Sequence, residues 1–126
     1  MPGEQLYSFH AVREEILVVL SAIAYASSED VSEAQRAFSE GARLMKNLEG
    51  TLELLAPESC APARLDPALD RLATAAGPIK QRVLLACAQI ASADGELRIA
   101  EAELMRAFAA TLDCPMPPLT VTALAA

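Results

Sequence analysis

The run Ile16-Leu-Val-Val-Leu-Ser-Ala-Ile-Ala-Tyr-Ala26 constrains the fold most, because nearly every position in it is apolar. Val12, Ile16, Val19 and Ile23 recur on one helical stripe, and Leu17, Val18 and Leu20 widen that stripe around the circumference. The helix predicted here, from about Ala11 to Ser27, therefore wants cover on several sides. Either it is the centre of a bundle, or it rests on a surface outside this sequence. The run is shorter than the roughly 20 residues that cross a bilayer, and Arg13-Glu-Glu precedes it. Neither direct membrane insertion nor a complete secretory signal is predicted.

The rest of the chain has the punctuation of further helices. Asp30 is placed to cap a second helix, with Glu33 at the reciprocal position and Ala34, Phe38, Gly41, Met45 and Leu48 facing inward as the helix runs toward Asn47. Gly41 reads as a notch for close helix approach rather than as a ligand loop. Glu49-Gly50 is a stop, and Thr51–Ala56 is a short apolar segment whose pattern does not decide its conformation. Pro57–Arg64 reads as the main connector, and Asp66-Pro67 as the cap and first turn of a third helix with Leu69, Leu72 and Ala76 inward. Gly77-Pro78 precedes a fourth, carrying Ile79, Val83, Cys87 and Ile90 on one face. Asp94-Gly95 then separates it from a fifth with Leu104-Met105, Phe108 and Leu112, which Cys114-Pro-Met-Pro-Pro118 ends.

With 53% hydrophobic residues but only 4% aromatic and no Trp, the core must be built from Leu, Ala, Ile, Val and Met. Closely packed helices suit that inventory. The predicted fold is all-α, a compact bundle of about five helices with the Asp-Gly turn in a late helical hairpin. Residues 11–118 form a single helical domain in this reading, 1–10 an N-terminal segment, and 119–126 a C-terminal tail. Val83, Cys87, Ile90, Leu104, Phe108 and Leu112 are expected to share one core.

The chemistry-bearing residues are sparse. A formal charge of -7, from 10 Lys plus Arg against 17 Asp plus Glu, comes without a basic face, which argues against nucleic acid as a partner. His10 is the single histidine and has no partners that would make it a base or ligand. The sequence contains no His-Glu-x-x-His, phosphate-binding loop or dinucleotide fingerprint. Three cysteines, Cys60, Cys87 and Cys114, do not close into pairs and fit a reducing compartment. Cys87, on an apolar face, reads as a small hydrophobe. Asp94-Gly95, Leu97 and Glu101 align with the middle, hydrophobic and last positions of an EF-hand loop, yet Ile90 and Ser92 stand where earlier ligands belong. A helix–turn–helix corner is the simpler reading, with Glu101 and Glu103 on a solvated acidic face. No catalytic, cofactor-binding or metal-ligating residue is assigned. The candidate interaction surface is the apolar stripe Ile16, Val19, Leu20 and Ile23.

One resemblance adds to this reading. Leu65-Asp-Pro-Ala-Leu-Asp-Arg-Leu72, Ile79–Cys87, Ala93-Asp-Gly-Glu-Leu97, Glu101-Ala-Glu-Leu-Met-Arg-Ala-Phe108 and Leu112-Asp-Cys-Pro-Met-Pro-Pro118 together resemble the carboxy-terminal region of bacterial M48-family zinc metallopeptidases. The Asp-Gly turn between helices also resembles TerB-like domains. The resemblance is strongest over residues 65–118, and Ala37-Phe-Ser-Glu-Gly41 fits the segment before it. It implies a membrane-associated zinc protease domain upstream, with this part on the cytoplasmic side. The zinc motif is not in this sequence, so zinc is expected only in that other part and no ligand carries over. The implied role is a non-catalytic accessory or interaction domain that contacts the parent protease domain or a second copy. A divalent-metal-responsive module built on Asp94-Gly95 to Glu101, or a TerB-like stress-response domain, is the alternative.

Overall fold

The computed structural model describes residues 12–27, 30–45, 52–93 and 99–114. They form helices α1 (Arg13–Ser27), α2 (Val31–Ala42), α3 (Pro62–Leu72), α4 (Gly77–Ala91) and α5 (Ile99–Leu112), with a 3-10 turn at Pro57–Cys60. The architecture is an all-α bundle, and among the described residues it contains no strand. None of the helices in these residues is long and apolar enough to cross a membrane.

The breadth of its apolar stripe puts α1 at the centre. It packs against α2, α3, α4, α5 and the 3-10 turn, so the cover it requires comes from this chain. Ile16, Val19, Leu20 and Ile23 are each 0% exposed. The interaction surface expected there is thus corrected: these four side chains are the core of the bundle. A fully buried aliphatic side chain contributes about 1.5–3 kcal/mol, and an apolar stripe this wide is satisfied from within rather than held open for a partner.

Asp30 caps α2 as expected, its Oδ1 accepting from the Ser32 amide at 3.0 Å. The helix ends at Ala42, earlier than the sequence suggests, because the amides of Leu44 and Met45 turn back to the carbonyls of Gly41 and Ala42. Met45 remains buried by this tightening, while Leu48 lies outside the described residues. Gly41 is the notch predicted for it: a Cβ there would overlap Ile90 Cγ1 and lie 2.6 Å from the Ala86 carbonyl oxygen. The Ile90 side chain can shift, but the Ala86 backbone of α4 cannot retreat without moving its helix. Gly41→Ala should therefore destabilise the protein by about 1–3 kcal/mol despite alanine's better helix propensity. A urea midpoint equal to or above that of the parent would show that α2 and α4 do not meet this closely.

The start of α3 corrects the reading of Asp66-Pro67. The helix begins at Pro62, with Ala61 as its cap, and carries Pro67 inside it. Pro62 does in the first turn what was expected of Pro67, and the longer helix adds half-buried Leu65 to the buried set Ala68, Leu69 and Leu72. Pro67 is exposed, so the ring and the carbonyl deprived of its donor are turned to water. Gly77-Pro78 opens α4 as expected. Beyond α4, Asp94, Gly95 and Leu97 lie outside the described residues. The expected core is present: Val83, Cys87, Ile90, Phe108 and Leu112 are fully buried and Leu104 half-buried. The end of α5 is a Schellman motif, with the Cys114 amide bonded to the Ala109 carbonyl at 3.0 Å and the Asp113 amide to Ala110 at 3.2 Å. It forces Asp113 to φ 54°, a left-handed conformation that glycine adopts more readily.

Candidate functional site

Two features on the surface of α1 bring polar side chains together. The first is a shallow groove between α1 and α3. Glu14, Glu15 and Val18 line one side of it and Arg64, Pro67, Ala68 and Arg71 the other, around a volume of about 280 Å³. Helical spacing creates the arrangement: Glu14, Glu15 and Val18 lie within one turn of α1, as Arg64, Pro67, Ala68 and Arg71 follow two turns of α3. Arg71 Nε stands 3.3 Å from Glu15 Oε2 and ties the two helices across the groove. Both groups are partly solvated, which limits such a pair to about 0–1 kcal/mol. The groove carries charges of both signs over an apolar floor, and its lining includes no thiol, hydroxyl or imidazole. Its charged groups are two carboxylates facing two guanidinium groups, an arrangement that can position charge.

The second feature is a clamp. Ser21 and Tyr25 are the hydroxyl-bearing positions of the Ile16–Ala26 run and lie one turn apart on α1. Ser21 Oγ accepts from the Leu55 amide at 3.1 Å, and the Tyr25 hydroxyl donates to the Leu55 carbonyl at 2.6 Å. Both backbone groups of one residue in the irregular stretch Leu52–Ala56 are thereby satisfied by α1 side chains. Next to it, the Cys60 thiol points back to the carbonyls of Pro57 and Ala56, at 3.5 and 3.7 Å. Burial pushes the Tyr25 hydroxyl up, and Cys60 and Glu58 add to the shift. Burial also pushes the Cys60 thiol up, with Glu58 adding to it.

Cys87, on α4, is fully buried and its thiol is pushed up by desolvation alone. It behaves as the small hydrophobe the sequence suggested. These raised values make stability fall in alkali. A buried thiol stabilises the fold fully below its unfolded pKa, near 8.5, and that stability is lost as the unfolded chain ionises. At pH 10 in reductant, Cys87 should account for a loss of about 2 kcal/mol, with Tyr25 contributing only above about pH 10. Urea unfolding at pH 8 and pH 10 should show the drop, and Cys87→Ala should remove most of it. An identical pH slope in that variant would mean that Cys87 ionises freely in the folded state.

Glu101 departs from expectation. It is 0% exposed among the inward residues of α5, beside Ala102 and Met105, and makes contacts within the protein. Glu103 alone of the two is on the solvated face, so the shared acidic face is corrected to one residue. Nothing in the one-dimensional pattern separates them except that Glu101 falls in register with Met105, Phe108 and Leu112. Of the loop positions aligned with an EF-hand, Ile90 is buried in α4 and the Ser92 hydroxyl donates to the Ala88 carbonyl at 2.8 Å. No group of three or more His, Cys, Asp or Glu able to hold a metal occurs among the described residues. His10 lies outside them. The groove and the clamp were missed by sequence reasoning, although two hydroxyls one turn apart in an apolar run were a usable signal for the clamp. Comparison of the chain with protein-family models, with curated proteins and with solved structures found no match.

Proposed function

We propose that this chain is a non-catalytic helical accessory domain that acts by contact with protein, as the TerB-like carboxy-terminal part of a membrane-associated zinc metallopeptidase. What carries the reading is the use to which the reactive side chains are put. Cys87 fills the core, Ser21 and Tyr25 hold Leu55, and Glu15 and Arg71 join α1 to α3. Each of these groups is committed to structure, whereas hydrolysis needs a base and an activated water or nucleophile free to meet a substrate. The parent assignment rests on the motifs at residues 65–118, and zinc belongs to the upstream part. With the α1 stripe internal, contact falls to the outer faces of the bundle, where Val31, Leu85 and Ile99 are 57%, 43% and 69% exposed. A reducing compartment suits the three free thiols.

A second reading, a divalent-metal-responsive module, is favoured by the inward turn of Glu101 and opposed by the commitments of Ile90 and Ser92. One set of measurements separates the two. The chain, titrated by calorimetry with the separately produced upstream region, should bind it or form a dimer in analytical ultracentrifugation, and Ile99→Glu or Leu85→Glu should weaken that association while leaving helicity intact. It should hydrolyse no peptide. A folded chain that stays monomeric and ignores the upstream region defeats the accessory role, and saturable micromolar calcium binding lost in Glu101→Gln establishes the second reading instead.

A further inference from the structure

Most of the cover on α1 is helical, but part of it is not. Leu52–Ala56 runs without regular structure before the 3-10 turn, and contacts between that turn and α1 continue the cover. Leu52 and Leu54 are only partly buried against the core, while Glu53, Ala56, Pro57 and Glu58 are exposed. The segment has no helical hydrogen bonds of its own over Leu52–Ala56, and Leu55 is held through the two side-chain bonds from Ser21 and Tyr25. The helices around it are anchored differently, by side chains buried completely and by internal backbone bonds. Local opening selects the parts of a fold with few buried apolar contacts and solvent-near hydrogen bonds.

We propose that residues Leu52–Cys60 form a detachable strap, which opens from α1 as a unit while the helices stay packed, with Ser21 and Tyr25 as its catch. Opening breaks the two bonds to Leu55 and leaves α1 itself intact, because its backbone groups are bonded within the helix. It uncovers Ser21, 0% exposed when the strap is closed, together with the flank of α1 beneath. An acceptor and a donor one turn apart are then presented beside an apolar helix. The strap thus gates access to α1 from one side. This inference stands apart from the accessory role, since it concerns a motion of the isolated chain.

Two thiols report the motion. Cys60 lies at the end of the strap and is 8% exposed, whereas Cys87 is 0% exposed inside α4 and becomes reachable only when the bundle opens. Alkylation of the reduced full chain, followed peptide by peptide in mass spectrometry over a urea series below the unfolding transition, reads both in one sample. Cys60 should be modified faster than Cys87 and with a weaker urea dependence, because opening the strap exposes less surface than unfolding. Tyr25→Phe and Ser21→Ala should each speed Cys60 modification about tenfold, the equivalent of one neutral hydrogen bond, while keeping that weak dependence and the helical circular dichroism. If either variant fails to fold, the other decides. Equal rates and urea slopes for Cys60 and Cys87 would overturn the strap by showing that the thiol is freed only in global unfolding. An unchanged Cys60 rate in the folded variants would overturn the catch, since the thiol would then be reached with the two bonds in place.

Discussion

Val19→Asp should destabilise the protein more than any other substitution considered, by on the order of 4 kcal/mol or more. Val19 is 0% exposed on the central helix, with helices of the same chain packed around it. The substitution removes an apolar side chain whose burial contributes about 1.5–3 kcal/mol and installs a carboxyl in an apolar site. There it must stay ionised without compensation or take up a proton, and both routes are unfavourable. The combined loss is on the order of 4 kcal/mol or more, a large fraction of the roughly 5–15 kcal/mol that stabilises a domain. The unfolding transition followed by circular dichroism should move far down in urea. A variant with the parent's helicity and urea midpoint would place Val19 on a surface, where a sequence reading of the apolar stripe as a docking face would put it.

Phe108→Ala should cost about 3–5 kcal/mol in reversible unfolding. Phe108 is 0% exposed on α5, and among the described residues it and Phe38 are the bulkiest of the fully buried side chains. With only three Phe and no Trp in the chain, few side chains span the space between helices as Phe108 does. Its neighbours along the inner face of α5 include Ala102 and Ala109, which have no rotamers with which to fill a void. The cavity should therefore persist, adding its own term to the lost transfer free energy. Phe108→Leu, which keeps most of the volume, should cost less than half as much. A loss below about 0.5 kcal/mol for the alanine variant would mean that α5 does not turn this face to the bundle.

The helices were readable because their signals are local. Asp30 accepts from an amide two residues away, Pro78 occupies a first turn, and Cys114-Pro115 follows a helix that has already closed its last carbonyls. Such signals depend on a few neighbouring dihedral angles. Where two local signals compete, the outcome was less legible. Pro62 and Pro67 both suit the first turn of α3, and the choice fell to Pro62 because the longer helix brings Leu65 toward the core while its second proline faces water. Little of the candidate site was legible. The groove needs α1 and α3 side by side, and the clamp joins residues separated by 30 and 34 positions.

The sequence by itself determined that the chain is helical, that α1 needs cover on several sides, that Gly41 admits a close neighbour, and that Cys87 belongs with the apolar side chains. Periodicity and side-chain size carry that information. Only the tertiary structure decided which surfaces meet: that the chain covers Ile16, Val19, Leu20 and Ile23 itself, that Glu101 turns inward while Glu103 stays in water, and that Leu55 is held by Ser21 and Tyr25. The physical reason is that an apolar stripe specifies how much surface must leave water but not which surface replaces it, because hydrophobic burial has no direction. Partners are chosen by shape, by the short approach that Gly41 permits, and by hydrogen bonds that form only after distant segments have been brought together.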